Sequence, residues 1–192
     1  MADTTAAGNR IYEGVEIPLA GSYTLDKSHT TVEFVARHLM ITKVRGGFSD
    51  FDAKIVIGED PLDSTVDVTI DAASIHTGES KRDDHLRSPD FLDVEKYPTI
   101  TYTAARVELR EGNHAVAHGE LTIHGATLAI DLDMEFEGAG NSPFGDYRAG
   151  FSATADINRE DWGLTWNQVL EGGGVMVSKN VRLEINAEIV RS

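Results

Sequence analysis

The stretch 81-KRDDHLRSPDFLD-93 sets Asp83, Asp84 and His85 between Arg82 and Arg87. Two chemistries fit these residue types. One is acid/base work, with a carboxylate orienting the imidazole. The other is a short helix whose acids are favoured near its positive N-terminal end and face water. Ser80, Asp84 and His85 cannot form a nucleophilic triad, because neighbouring helix positions diverge. A second charged cluster, Asp156, Arg159, Glu160, Asp161 and Trp162, reads as a turn that pairs Arg159 with a carboxylate and tucks Trp162 underneath. His114 and His118 have the spacing of paired metal ligands on a helix. They lie in a strand pattern, however, where four residues span about 13 Å. His29, His76, His85 and His124 are scattered and have no obvious carboxylate partner, so neither a metal nor a cofactor is expected. The nucleophile elbow, the phosphate-binding loop and the dinucleotide fingerprint are missing, and the glycines at 172–174 lack a following Lys-Ser/Thr.

The elements that must position these groups are strands. Val32, Phe34 and Ala36 alternate with Thr31, Glu33 and Arg37, which is the two-residue period of a half-buried strand. Val66, Val68 and Ile70 repeat the pattern, as do Leu128 to Phe136, Phe151 to Ile157 and Val181 to Ile189. Further strands are predicted at 22–26, 44–57, 99–109 and 114–124, bounded by Gly, Asp, Asn and Pro clusters. Helical spacing is confined to 80–93, where Ser80 can cap, Asp83 and Asp84 occupy the first turn, and Pro89 stops the helix. About eight antiparallel strands with one inserted helix form a barrel or, failing that, a sandwich. The parity of His38 matches Val32 and Phe34 and points it inward.

The 192 residues suffice for one domain with its own core. The chain has no Cys, which removes disulfides, thiolate nucleophiles and Cys-based metal sites. A net charge of −15 repels nucleic-acid phosphates and anionic lipid surfaces. No span approaches the roughly 20 apolar residues of a membrane-crossing helix. The N-terminus has neither a basic start nor an apolar run, so a cytoplasmic location is expected. Residues 1–20 read as a flexible N-terminal extension, with a strand around Ile11 to Ile17 lying on a domain of 21–192.

The runs 23-YTLDKSHTTVEFVARHLMITKVRGGFSDF-51, 74-SIHTGESKRDDHLRSPDFLDVEKYPTITY-102, 119-GELTIHG-125 and 156-DINREDWGL-164 together resemble the YceI family of lipocalin-like, polyisoprenoid-binding proteins. The resemblance runs in order over about residues 20–190. It implies an eight-stranded antiparallel barrel closed at one end, a long apolar ligand in its interior, and a homodimer. Family members with secretion leaders are known, and this chain departs from them in showing none.

Periodicity identifies a face and leaves open whether the interior is filled or hollow. The inward set is Val32, Phe34, Phe48, Ile55, Val68, Ile70, Tyr102, Leu121, Leu132, Met134, Phe136, Phe151, Ile157, Leu183 and Ile185. Each is ordinary core or ligand contact, and together they make a lining. At about 0.8 kcal/mol per buried CH₂, a five-carbon prenyl unit contributes on the order of 4 kcal/mol before entropic losses. A fatty acyl chain gains as much per carbon, so a preference for isoprenoids comes from the resemblance alone. The expected function is non-catalytic binding, storage or transport of a long-chain lipid such as a quinone or polyprenyl species. From the inward set, Phe34, Phe48, Val68, Ile70, Tyr102, Leu132, Met134, Phe136, Phe151, Ile157, Leu183 and Ile185 are expected to touch it, with Trp162 beside them. Arg82, Arg159 and His38 are expected near the headgroup. The short helix carrying Leu86, Phe91 and Leu92 is expected to close one end, inside a polar network of Arg82, Asp83, His85 and Arg159. Two alternatives stay open. One is an enzyme on such a lipid, with His38, His85 or Asp161 as the acid/base group; the other is a fully packed barrel that works through its outer surface.

Overall fold

Alternating apolar and polar residues, dense in Val, Ile, Thr and aromatics, produce strands whose inner faces must be covered, and this chain covers them by closing the sheet. The computed structural model describes residues 9–171 and 173–192. After the short strands β1 (Arg10–Tyr12) and β2 (Val15–Ile17) come β3 (Gly21–Leu25), β4 (Thr31–His38), β5 (Thr42–Phe48) and β6 (Phe51–Ile57). Then follow β7 (Thr65–Asp71), β8 (Ile75–His76), the helix α1 (Ser80–Arg87), β9 (Thr99–Leu109) and β10 (His114–Ile123). Three long strands end the chain: β11 (Ala126–Asn141), β12 (Tyr147–Asn158) and β13 (Asn180–Arg191).

The result is a closed eight-stranded antiparallel barrel with one helix. Three of its staves are interrupted. β3 and β4 follow one another along the same edge of β13, pairing Ile189 with Leu25 and Ile185 with Val32. β5 and β6 lie beside them and continue into one another across Ser49 and Asp50. The single strand expected over 44–57 is therefore two. β7 and β8 form the third interrupted stave, pairing with β6 and β5 respectively. At the first break Asp26 accepts from the Ser28 amide at 3.0 Å, a side-chain turn that replaces the missing rungs.

Within the stretch expected as an extension, residues 10–17 form a hairpin, β1 against β2, in place of the single strand expected there. Glu13 and Gly14, with φ of 51° and 85°, make its turn. Arg10 fastens it by donating from Nε to Pro18 O at 3.0 Å, from Nη1 to Glu59 O at 2.9 Å and from Nη2 to Gly58 O at 2.8 Å. Tyr147 donates to Asn9 Oδ1 at 2.6 Å, and Tyr23 donates to Leu19 O at 2.6 Å. Residues 1–8 of the expected extension lie outside the described residues. The apolar interior forms two clusters. One, around Tyr23, Tyr147 and Ile189, underlies the hairpin; the other, around Trp162, Ile100 and Leu121, lies toward α1.

Burial, with a smaller push from Tyr147, raises the Tyr23 hydroxyl to about 12. The folded state therefore keeps this proton above pH 10, where the unfolded chain releases it. The stability it contributes is complete below pH about 10 and is lost as pH rises toward 12. Thermal melts should accordingly show the melting temperature falling across this window, and Tyr23→Phe should flatten the fall.

Candidate functional site

Along the barrel axis the inward side chains do not meet. They border a cavity of about 360 Å³ that extends from the β1–β2 hairpin and the residue after it, at Ile17 and Pro18, to α1 and the segment that follows it, at Leu86 and Phe91. Its wall is almost wholly hydrocarbon. Phe34, Phe48, Val68, Ile70, Tyr102, Leu132, Met134, Phe136, Phe151, Ile157, Leu183 and Ile185 all border it, as do Val32, Ile55 and Leu121. Their rows alternate with polar side chains turned to water, which is why parity identified them. Aromatic pairs shape the wall, with ring centroids 6.0 Å apart for Phe34 and Phe48 and 5.4 Å for Phe136 and Phe151.

The space is kept open partly by residues without side chains. A Cβ at Gly119 would lie 2.5 Å from the Tyr102 ring, so the tyrosine can lie back against β10 only because this position is Gly. Tyr102 then donates to Ala117 O at 3.0 Å, and burial raises its hydroxyl far above the usual phenol value. Gly46 in the same way gives room to Phe34. Neither glycine stands out in the periodicity, because what each accommodates lies on another strand. The hairpin residues Val15, Ile17 and Pro18 also border the cavity unannounced, although Glu13-Gly14 is a turn signal.

The helical end is built as follows. Glu79, in place of the expected Ser80, caps α1 by accepting from the Lys81 amide at 3.0 Å. Ser88 is extended ahead of Pro89, as the proline ring requires, and the helix stops there. Leu86, Phe91 and Leu92 face the cavity. Asp83 is buried and accepts from Thr77 Oγ1, while Arg82 donates from Nε to the same oxygen at 2.7 Å. His85 bonds Asp90 at 2.8 Å and stands edge-on to Trp166, with centroids 4.6 Å apart. The expected single network is thus divided, with Arg82 and Asp83 meeting at Thr77 and His85 turned to Asp90.

Three expected contacts are displaced. His38 is exposed as the last residue of β4, paired with Thr42 and Val177 at the rim just before the chain turns through Leu39 and Met40, both at positive φ. Arg82 is exposed and committed to Thr77. Trp162 is buried but packs behind the lining, donating to Leu121 O at 3.0 Å.

Arg159 does border the cavity, on a 3₁₀ turn (Arg159–Trp162) capped by Asn158. The carboxylate partner expected for it is absent among the described residues, since Glu160 pairs with Lys179 at 2.8 Å. Arg159 instead donates from Nε to Ser178 O at 3.0 Å and from Nη1 to Leu164 O, and it lies over the Phe91 ring at 5.8 Å. Its Nη2 is buried without a hydrogen-bond partner. Burial lowers its pKa, with Glu160 opposing. On the outer wall Asp26, His29 and Glu188 bring possible metal-ligating atoms together, but Arg148 already bonds Asp26 at 2.6 Å and also Glu188.

The profile of the YceI-like domain matches residues 23–189. The chain belongs to the YceI family. A UPF0312 protein of Staphylococcus aureus, SAS2572, is 38% identical over 170 residues, covering 87% of this chain and 96% of that protein. The YCEI protein of Campylobacter jejuni, a crystal structure, is 34% identical with a TM-score of 0.71, over 88% of this chain and 97% of its own. Burkholderia cenocepacia BcnA, at 20% identity and a TM-score of 0.75, covers 85% of this chain and 98% of its own and shares the fold. So does a polyisoprenoid binding domain from Saccharophagus degradans, at 17% and 0.67, over 88% of this chain and 98% of its own. The YceI barrel expected from the quoted runs is the barrel observed.

Gly119→Ala should destabilise the fold by about 1–3 kcal/mol in chemical denaturation, because the added methyl meets both the Tyr102 ring and the Thr103 carbonyl, so the ring and the backbone must both shift. Asp83→Ala strands the Thr77 hydroxyl and should lower the melting temperature, at a cost of about 1–3 kcal/mol.

Proposed function

We propose that this YceI protein is a non-catalytic binder, acting as carrier or store, of a long-chain apolar lipid held inside its barrel. A polyisoprenoid such as a quinone or polyprenyl species is the occupant assigned. The observation that carries this reading is the cavity itself, about 360 Å³ of hydrocarbon-walled space along the axis. That volume falls in the range of roughly 300–1,000 Å³ typical of ligand sites. An interior this apolar offers water few partners, whereas a hydrocarbon chain gains on the order of 0.8 kcal/mol per CH₂ buried. The choice of an isoprenoid draws on the Saccharophagus degradans domain, which is described as polyisoprenoid binding.

The contacts assigned to the ligand are the lining residues Phe34, Phe48, Val68, Ile70, Tyr102, Leu132, Met134, Phe136, Phe151, Ile157, Leu183 and Ile185, together with Arg159. An enzymatic reading finds less support. His38, His85 and Asp161 all stand outside the lining, and the histidine that borders it, His114, is exposed at the start of β10.

Organic extraction of the purified protein followed by mass spectrometry should release an unmodified prenyl lipid near one equivalent. An empty protein that converts added lipid would overturn the proposal. Ala153, which borders the cavity, supplies a second check. Ala153→Phe, if it melts as a folded protein, should lose most bound lipid.

A further inference from the structure

Among the described residues the lining contains one Lys or Arg side chain, Arg159, and its surroundings are unusual. The residue is only 5% exposed. Two of its nitrogens are satisfied by the carbonyls of Ser178 and Leu164, both neutral groups. The third, Nη2, has no partner, and no carboxylate among the described residues pairs with the guanidinium. A guanidinium stays charged at any ordinary pH. A buried charge without a counter-charge is costly, and a buried donor without an acceptor adds the cost of its desolvation. Structural arginines are ordinarily completed by their neighbours, as Arg10 is by three carbonyls in this same chain.

From this we infer that the site takes a lipid with an anionic oxygen head, a carboxylate or a phosphate, and holds it head-first against Arg159 at the α1 end. The inference rests on the lipid-binding reading above, adds the head's charge and the ligand's direction, and so narrows that reading from neutral quinones to lipids with an acidic head. An anionic oxygen supplies what Arg159 lacks, an acceptor for Nη2 and a counter-charge in direct contact, since the nearby Glu160 carboxylate does not bond the guanidinium and pairs with Lys179. The Phe91 ring under the guanidinium and Leu164 beside it make the transition from polar head to apolar chain. The tail then runs toward Ile17 and Pro18 at the hairpin. The opposite orientation brings an anion to Glu16, which borders the hairpin end and is held by Asn9 Nδ2 at 2.6 Å. Glu33 on β4 also borders the cavity, so Arg159 is where a negative head meets an opposite charge.

The test uses three probes with one chain, farnesol, farnesoic acid and farnesyl phosphate, measured by calorimetry on delipidated wild-type protein. The expected result is that at least one of the two anions binds about tenfold to a hundredfold tighter than the alcohol, the range of a hydrogen bond to a charged group. Which anion is preferred distinguishes a carboxylate head from a phosphate head. In Arg159→Met that ratio should fall toward one, and in Arg159→Lys, which keeps the charge, it should persist in part. If wild-type protein binds farnesol as tightly as both anions, the head assignment is wrong and the lipid reading stands. If none of the three binds, both fall. The wild-type comparison decides the matter even if Arg159→Met does not fold.

Discussion

Closure of the backbone ladder is the constraint on which the molecule depends. β13 completes the circle by pairing along one edge with β12 and along the other with β3 and β4 in succession. Once every stave has neighbours, the wall is held by rungs that lie within it, and its interior need not be filled to keep the strands together. An α-helical bundle has no such freedom, because its elements are joined only by the side chains between them.

This division of labour shows in where the tight packing lies. The best-buried side chains gather toward the ends, Tyr23 and Ile189 near the hairpin and Trp162 behind the lining toward α1, while the middle of the barrel is hollow. Polar devices also concentrate at the ends. Arg10 satisfies three carbonyls at the hairpin, Arg87 satisfies those of Ala73 and Ile75 beside the helix, and Arg148 gathers three carboxylates on the outer wall. Each arginine is completed by the protein, and Arg159 stands apart from them in that respect.

The wall was legible because a strand's two faces differ by a single step in sequence. Val32, Phe34, Val68, Ile70, Leu183 and Ile185 declare themselves by parity, and the barrel places all of them on the cavity. The same rule misplaced His38, since parity gives a face and not a depth, and His38 is the last residue of β4, at the rim where the strand ends in the turn through Leu39 and Met40. The break at Ser49 and Asp50 was signalled by the Gly46-Gly47 and Ser49-Asp50 pairs, which the expected strand 44–57 ran through. Contacts between distant segments had no local signature at all. That Gly119 makes way for Tyr102, that Thr77 joins Arg82 to Asp83, and that Arg159 turns to Ser178 instead of a carboxylate depend on how strands far apart in sequence come to lie together.

The stave made by β7 and β8 has an asymmetry of its own. β7 is laddered to β9 from Val66 opposite Ala104 to Asp71 opposite Thr99, the Ala72 amide still donates to Pro98 O at 2.9 Å, and beyond that pair the two chains part. β8 continues against β5 alone, and the segment carrying α1 fills the gap. At that place the enclosure is a plug seated by side chains, chiefly Arg87 on the carbonyls of Ala73 and Ile75. Elsewhere parting the wall means unzipping a ladder; here it means releasing side chains, the two Arg87 bonds together with the buried Phe91 and Leu92.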